Sequence, residues 1–354
     1  MSDASTHRIA VVGAGSWGTA LAHTLAQDQT RAVSLWARRH ELASELQRTR
    51  RNAQCLPALE LDRRVAVSAS LGEVLDARAI VILAVPTSAM REVAGSVAPL
   101  LPADAVVVTA AKGFERESGL TMTRVVAEVL GAAAAPRIAA LSGPNIAVEI
   151  AAGLPAATVV AGEERVAAFV RDTCTGPRLR FYSTTDCVGV EYGGALKNVV
   201  AIAAGAADGI GTGDNGKAAI VTRGIAEITR LGVAAGAQLA TFAGLAGLGD
   251  CIVTCMSPYS RNRTLGEAIA RGASLDEAVG SATGVTEGVN ATRVAVGLAG
   301  AHGIDMPITR EVHAVLFEGK SVRAALADLM SRDPAAEIHG FASPHGLHSE
   351  RSGE

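Results

Sequence analysis

Lysine is a rare residue in this chain, so the positions that keep it stand out. Only four of the 32 basic side chains are lysines. Unlike arginine, a lysine can give up its proton when its surroundings favour the neutral form. Lys112 follows a strand-like apolar run, and Lys197 lies in an uncharged segment rich in alanine and glycine. Both are therefore candidates for proton transfer or for holding a small anion, although ordinary surface lysines that survive by chance would look the same.

The second half of the chain offers polar residues that could face these lysines. Asp250 and Thr254 lie four positions apart and would share a face if a helix begins at Asp250. Ser260, Arg261 and Asn262 form a group of hydrogen-bond donors suited to a phosphate monoester. A carboxylate would suit the same group equally well. Each feature taken singly could also be an ordinary polar loop.

A glycine-rich turn follows the first apolar run. Gly13, Gly15 and Gly18 come directly after residues 9–12 and open a helix-like segment. This is the G-x-G-x-x-G spacing of a Rossmann dinucleotide site, where the glycines permit a tight turn, a close approach to the pyrophosphate and tight helix packing. The helix N-terminus adds amide donors and a positive dipole for the phosphates. The turn therefore predicts a dinucleotide site.

The end of the second apolar run indicates which dinucleotide binds. A Rossmann domain that takes NAD usually has an acidic residue there to bind the ribose hydroxyls. This chain has Arg38 and Arg39 at that point. A pair of guanidinium groups suits the 2′-phosphate of NADP, so we predict that NADPH binds more tightly than NADH. Glu41 is close enough to weaken this preference, and NADH remains a second cofactor.

The composition and the pattern of apolar residues change near the middle of the sequence. Short apolar runs alternate with helix-like segments at 9–12, 32–36, 65–67, 79–85, 105–108, 138–141 and 158–160. Continuous hydrophobicity of this kind predicts a parallel sheet covered by helices on both faces. From about residue 190 the Ala, Gly and Leu content predicts helices instead. We expect an α/β fold with a Rossmann-like doubly wound domain at 1–189, an all-helical substrate domain at 190–335 and a tail without catalytic duty at 336–354.

Three loops that follow predicted strands should meet at one edge of the sheet. They cover residues 84–88, 112–113 and 142–145. Ligands of doubly wound sheets bind outside the carboxyl ends of the strands. We therefore expect a crevice at this edge, with Lys112 on one side and Lys197 of the helical domain on the other.

The overall composition narrows the class of protein. Hydrophobic residues make up 49% and charged residues 19%, as in well-packed globular chains. Aromatic residues at 3% and a net charge of −3 give no basis for binding nucleic acid or an anionic membrane. The polar start and the lack of a long apolar run predict a cytoplasmic protein without membrane insertion. The spacing of the cysteines predicts neither disulfides nor a metal site.

Six motifs in order carry a family resemblance. They are residues 13–20, 111–113, 142–144, 191–198, 247–250 and 260–262. From about residue 8 to 330 the chain resembles NAD(P)-dependent glycerol-3-phosphate dehydrogenase of the bacterial, soluble type. The resemblance implies an enzyme that interconverts dihydroxyacetone phosphate and sn-glycerol 3-phosphate with NADPH or NADH. It would supply glycerol 3-phosphate for glycerophospholipid synthesis.

The same resemblance implies residue roles. Lys197 would be the catalytic acid and base. The substrate would contact Lys112, Gly143, Asn145, Lys197, Asp250, Ser260, Arg261 and Asn262. Together with the glycine turn and the arginine pair, the dinucleotide site would comprise Gly13, Gly15, Ser16, Trp17, Gly18, Arg38, Arg39, Lys112, Ala147, Arg261, Val285 and Glu287. The chain departs from the family at Asn145 and Ile146, where members more often have a small hydroxyl residue followed by Phe.

Two other functions stay open at this point. A dehydrogenase of the 6-phosphogluconate or 3-hydroxyacid type has a similar architecture and would use the donors at 260–262 for a carboxylate. A nicotinamide-binding sensor would keep the glycine turn but would not need Lys197, Asp250 and Arg261 together. In each case the apolar helical half could carry a homodimer interface.

Overall fold

The computed structural model describes residues 7–280, 284–334 and 336–337. Its strands are β1 (His7–Val12), β2 (Arg31–Trp36), β3 (Arg51–Asn52), β4 (Leu56–Glu60), β5 (Ala66–Ser68), β6 (Ile80–Leu83), β7 (Val106–Thr109), β8 (Ile138–Ser142), β9 (Ala156–Ala161) and β10 (Leu179–Thr184). Eight strands form one sheet in the order β10-β9-β8-β7-β6-β1-β2-β5. The strands β3 and β4 pair separately as an antiparallel ribbon.

Helices cover both faces of this sheet, as the sequence predicts. They are α1 (Ser16–Ala26), α2 (His40–Thr49), α3 (Leu71–Leu75), α4 (Met90–Val97), α5 (Met122–Leu130), α6 (Ala147–Ala151) and α7 (Glu164–Cys174). Successive residues of β1 point into different cores: Ile9 packs in the cluster that includes α1, and Ala10 in the cluster that includes α4. Because both faces are buried, the strands need apolar residues at every position. The Rossmann-like, doubly wound prediction is confirmed.

The sheet is not wholly parallel, which corrects the prediction. The strand β9 runs antiparallel to β8, with Leu141 opposite Val160, and β10 is parallel to β9. A parallel return would need a connection that spans the sheet. The only helix between β8 and β9 is α6, whose five residues cover about 7.5 Å at 1.5 Å per residue. The chain therefore turns back at the same edge.

Three strands were absent from the sequence prediction. The strand β10 at the edge of the sheet alternates, with Leu179 and Phe181 buried and Arg180 and Tyr182 exposed. Its single buried face gives no continuous apolar run. The ribbon strands β3 and β4 are short and partly exposed, so they also lack the pattern of a buried strand.

The second half of the chain is helical, as predicted. Its helices are α8 (Cys187–Ile210), α9 (Gly213–Ala234), α10 (Asp250–Met256), α11 (Arg261–Ala270), α12 (Leu275–Gly280), α13 (Glu287–His302), α14 (Pro307–Phe317) and α15 (Val322–Met330). The helix α8 is the central element, and α9, α10, α11 and α13 pack around it. A side chain at Gly205 or Gly266 would collide with backbone carbonyls, so both glycines permit the close approach of α8 and α11.

The remaining sequence predictions concern the domain boundary, the C-terminal tail, membrane insertion and the cysteines. The predicted domain boundary at 189/190 falls within α8, and residues 338–354 of the predicted tail lie outside the described residues. Within the described ranges, none of the helices combines the length and apolar character needed to cross a membrane. The five cysteines carry free thiols.

Candidate active site

The glycine turn lies at the point where the sheet reverses its strand order. The chain leaves β1 towards β2 on one side, while β6 pairs with β1 on the other. Gly13 has φ +118°, and a side chain there would lie 2.5 Å from the Ala84 carbonyl oxygen. A side chain at Gly18 would collide with Gly13. Conformation and packing therefore require glycine at both positions.

Gly15 differs from its two neighbours because the space around it is open. The residue is exposed, and a side chain there would have nothing within 4 Å. It is the N-cap of α1, whose first turn has no acidic residue. Backbone donors at such a helix start favour an anion. This arrangement fits the pyrophosphate of a dinucleotide.

Polar and aromatic residues surround the turn. Ser16 Oγ donates to the Cys55 carbonyl oxygen at 3.2 Å, and Trp17 packs against the adjoining core. Arg38 and Arg39 are exposed after β2, where Arg39 donates to Gln54 Oε1 at 2.8 Å. Both guanidinium groups are accessible to a ligand.

A buried carboxylate joins the two lysines across the crevice. Asp250 Oδ2 accepts from Lys112 Nζ at 2.7 Å, and Asp250 Oδ1 accepts from Lys197 Nζ. Lys112 also donates to the Gly143 carbonyl oxygen at 2.7 Å. Asp250 is 1% exposed and Lys197 6%. The loop after β7, the middle of α8 and the start of α10 thus meet at one cluster.

Helix α10 explains how Asp250 and Thr254 act together. The helix begins at Asp250, so the two residues share a face, as their spacing predicts. Thr254 Oγ1 donates to the Asp250 carbonyl oxygen at 2.6 Å and accepts from Lys197 Nζ at 2.7 Å. The ammonium group of Lys197 is therefore held by two oxygens one helical turn apart.

Burial and mutual charge determine the protonation of the cluster. Burial lowers the pKa of Lys112 to about 8, and the like charge of Lys197 adds to this effect while Asp250 opposes it. Burial alone would raise the pKa of Asp250, but the two ammonium groups outweigh it and hold that pKa below its usual value. Asp250 therefore stays ionised, while Lys112 loses its charge as pH rises through about 8.

A second network reaches this cluster from α11 and α13. Asn262 Nδ2 donates to Asn198 Oδ1 at 2.9 Å, and Asn262 Oδ1 accepts from the Gly288 N–H at 3.0 Å. Asn198 Nδ2 in turn donates to the Lys112 carbonyl oxygen at 3.4 Å. The amide chain links α8, α11 and α13 to the loop that carries Lys112.

Comparisons with known proteins show the family of this chain. The models of the N-terminal and C-terminal domains of NAD-dependent glycerol-3-phosphate dehydrogenase match residues 8–168 and 186–327. The chain belongs to this family. It is 47% identical to glycerol-3-phosphate dehydrogenase (NAD(P)+) of Moorella thermoacetica, over 93% of this chain and 97% of that protein. A crystal structure of glycerol-3-phosphate dehydrogenase from Coxiella burnetii has a TM-score of 0.86 at 35% identity and covers 92% of this chain and 99% of its own.

Glu287 links the helical half of this glycerol-3-phosphate dehydrogenase family member to its sheet. Its carboxylate accepts from the Thr87 N–H at 3.0 Å and from Thr87 Oγ1 at 2.5 Å. Burial raises the pKa of Glu287, while the Thr87 hydrogen bonds and the charge of Arg261 act in the opposite direction. The guanidinium group of Arg261 lies beside Gly284. Arg261 and Glu287 thus border the same part of the crevice.

The other predicted residues have more specific local roles. Ser260 is the N-cap of α11 and accepts from the Arg263 N–H at 3.3 Å. Asn145 Nδ2 donates to the Ala157 carbonyl oxygen at 3.1 Å, and its Oδ1 accepts from Thr158 at 3.0 Å. Both polar ends of Asn145 are thus used within the protein.

Ala147 and Val285 have no polar side chain to contribute. Ala147 begins α6 and packs against the core, and Val285 is 43% exposed. Any contact that either residue makes with a ligand would be apolar or through the backbone.

Sequence reasoning gave Thr87 and Ser142 no individual role. Ser142 Oγ donates to Asp250 Oδ2 at 3.4 Å, and Thr87 binds Glu287 as described above. Thr87 follows β6 and Ser142 is the last residue of β8, and both strands end at the crevice. The expectation that loops meet at this edge was the signal that could have identified them.

Proposed function

We propose that this chain interconverts dihydroxyacetone phosphate and sn-glycerol 3-phosphate, with NADPH or NADH as the redox partner. The observation that carries this proposal is the Lys112–Asp250–Lys197 cluster beside an open glycine turn, in a chain of this family. The product would supply glycerophospholipid synthesis.

Lys197 is the proposed acid and base. When bound, the dinucleotide would supply a hydride for the ketone carbon, and negative charge would develop on the ketone oxygen. An ammonium group beside that oxygen stabilises the charge and then donates a proton. Asp250 and Thr254 fix the ammonium group of Lys197, which limits the directions in which it can donate. In the reverse direction the neutral amine of Lys197 accepts the alcohol proton.

The remaining residues would bind and orient the two ligands. Lys112 and Arg261 would neutralise substrate phosphate charge, and the substrate set would be completed by Gly143, Asn145, Asp250, Ser260 and Asn262. The phosphates of the dinucleotide would lie against Gly15 and Ser16 at the start of α1. Its other contacts would be Trp17, Arg38, Arg39, Lys112, Ala147, Arg261, Val285 and Glu287, with Gly13 and Gly18 shaping the turn.

The proposal also covers the domain division, the oligomeric state and the cellular location of the protein. The division into a dinucleotide-binding unit at 1–189 and a substrate unit at 190–335 accords with the change from sheet to helices. We propose a homodimer that associates through the helical half, and a cytoplasmic location. Light scattering after size exclusion would give twice the chain mass for the dimer, and cell fractionation tests the location.

The activity can be tested directly with purified protein. Dihydroxyacetone phosphate should cause rapid loss of NADPH absorbance, with a slower loss of NADH absorbance because Arg38 and Arg39 favour the 2′-phosphate. Equal rates and affinities for NADPH and NADH would show that Arg38 and Arg39 do not select the 2′-phosphate. If NADPH binds without being oxidised, the substrate assignment is wrong, and a screen of phosphates against hydroxyacids would decide between the two dehydrogenase types.

A further inference from the structure

The small ribbon formed by β3 and β4 contacts the glycine turn and Arg39, although it lies outside the main sheet. Asn52 donates to the Ala14 carbonyl oxygen at 2.9 Å. Ser16 donates to the Cys55 carbonyl oxygen, and Arg39 to the side chain of Gln54. Sequence analysis gave the ribbon no role. Three contacts from one short segment converge on the region where the dinucleotide would bind.

Asn52 makes the most buried of these contacts. The residue is 1% exposed, and its Nδ2 donates to Ala14 O at 2.9 Å and to Thr19 Oγ1 at 3.0 Å. Its Oδ1 has no partner among the described residues. A carbonyl oxygen can only accept, so the nitrogen of the amide must face the turn. The two hydrogen bonds therefore tie the turn to the first part of α1.

Peptide geometry gives this contact a consequence for ligand binding. The Ala14 carbonyl and the Gly15 N–H belong to one trans peptide unit, in which the two groups point in opposite directions. Holding Ala14 O towards Asn52 turns the Gly15 N–H away from Asn52. That N–H has no acceptor among the described residues, and the position of a Gly15 side chain is open space. A donor fixed in this way is ready for a phosphate oxygen.

We infer that Asn52 is a positioning residue that holds the Gly15 N–H in place for the dinucleotide pyrophosphate. The inference rests on the proposed function only for the identity of the cofactor. Without the Asn52 amide, the Ala14 carbonyl would lose its buried partner and the peptide could rotate. In a rotated peptide the Ala14 carbonyl oxygen, instead of the Gly15 N–H, would face the phosphates. The partial negative charge of that oxygen would repel the negatively charged phosphates.

The test compares Asn52→Leu and Asn52→Asp with wild type. Leucine has a similar size and removes the donor, while aspartate keeps the shape and replaces the donor with an acceptor. Ser34→Ala is the matched control, because Ser34 is 2% exposed and donates to the Val74 carbonyl oxygen at 2.8 Å away from the turn. NADPH is titrated without substrate, and thermal unfolding is recorded without NADPH.

We expect the Kd for NADPH to rise at least tenfold in both Asn52 variants, with the larger rise for Asn52→Asp. The control should lose thermal stability yet keep its Kd within twofold of wild type. In turnover, the Asn52 variants should show a raised KM for NADPH and a kcat close to wild type at saturation.

Several results would overturn the inference. A Kd within twofold of wild type in the folded Asn52 variants would mean that the contact is only structural, and so would an equal loss of affinity in Ser34→Ala. If Asn52→Leu does not fold, Asn52→Asp decides the question alone. Wild-type protein that binds NADPH but does not reduce dihydroxyacetone phosphate would refute the proposed substrate and leave this inference intact.

Discussion

At the scale of single residues, Asp250 determines what the two lysines can do. It is buried and ionised, and it accepts from both ammonium groups. One negative charge beside two positive charges leaves the cluster with a net positive charge. Such a cluster attracts a phosphorylated substrate and can also lose a proton.

Replacing Lys197 should separate chemistry from cofactor binding. Lys197→Ala is expected to lower kcat by about 10²–10⁴-fold, the usual contribution of a general acid. Lys197→Arg should fail to restore activity, because arginine keeps its proton. Fluorescence titration should show unchanged NADPH affinity in both variants, and full activity in Lys197→Ala would refute the proposed role.

The dependence of kcat/KM on pH should report the ionisation of Lys112. Its pKa is lowered to about 8, so its charge is present below that pH and is lost as pH rises through it. If Lys112 binds the substrate phosphate, kcat/KM for dihydroxyacetone phosphate should fall above pH about 8, since this ratio reports the free enzyme.

Lys112→Arg provides the control for this profile. Arginine keeps its charge throughout the range, so the fall near pH 8 should disappear, even if overall activity is lower. A fall that persists unchanged in Lys112→Arg would assign it to another group.

At the scale of elements, a side chain of α8 also holds the start of α5, a helix that packs on the sheet. Glu191, six residues before Lys197, accepts from the Thr123 N–H at 2.8 Å and from Thr123 Oγ1 at 2.5 Å. The N-cap of α5, Thr121, makes no side-chain cap of its own. The start of α5 is therefore capped by a carboxylate from α8, and this contact fixes the two elements relative to each other.

Glu191 variants should show how much this cap stabilises the protein. Glu191→Ala leaves the start of α5 without an acceptor and should lower the free energy of unfolding by about 1–3 kcal/mol. Glu191→Gln keeps one acceptor and removes a carboxyl whose pKa is raised by burial. The free energy of unfolding should therefore fall less in Glu191→Gln than in Glu191→Ala at neutral pH. Urea unfolding gives both values, and equal losses in the two variants would contradict the capping role.

At the scale of the whole molecule, buried carboxylates join distant parts of the chain. Glu227 of α9 accepts from the Ile308 N–H at 2.7 Å and the Thr309 N–H at 3.2 Å, at the start of α14. Burial raises its pKa to about 7, although these hydrogen bonds act in the opposite direction. The folded protein therefore holds a proton at Glu227 that the unfolded chain releases at lower pH.

This difference should appear in the stability of the protein as pH rises. Because the folded pKa lies above the unfolded value, the stabilisation by Glu227 is complete below the unfolded pKa and is lost as pH rises to about 7. The shift corresponds to up to about 3 kcal/mol. Urea unfolding at pH 5 and pH 8 should show a smaller dependence on pH in Glu227→Gln, and an unchanged dependence would assign the effect to other groups.

The local features of this protein could be predicted from short stretches of its chain. Buried strands show continuous apolar runs, Gly13 and Gly18 satisfy a turn that tolerates no side chain, and the spacing of Asp250 and Thr254 places them on one helix face. Each of these features depends on a few neighbouring residues, and the types and spacing of those residues give their periodicity and conformational freedom. The family motifs extend the same kind of local information to the candidate site.

Which of these features meet depends on how the helices and strands pack in three dimensions. Lys112 and Asp250 are 138 residues apart, and Thr87 and Glu287 are 200 apart, yet each pair forms direct hydrogen bonds. The direction of β9 and the contact of Asn52 with the glycine turn were equally hidden. Such contacts depend on how whole helices and strands pack, because packing brings together surfaces that no local pattern relates.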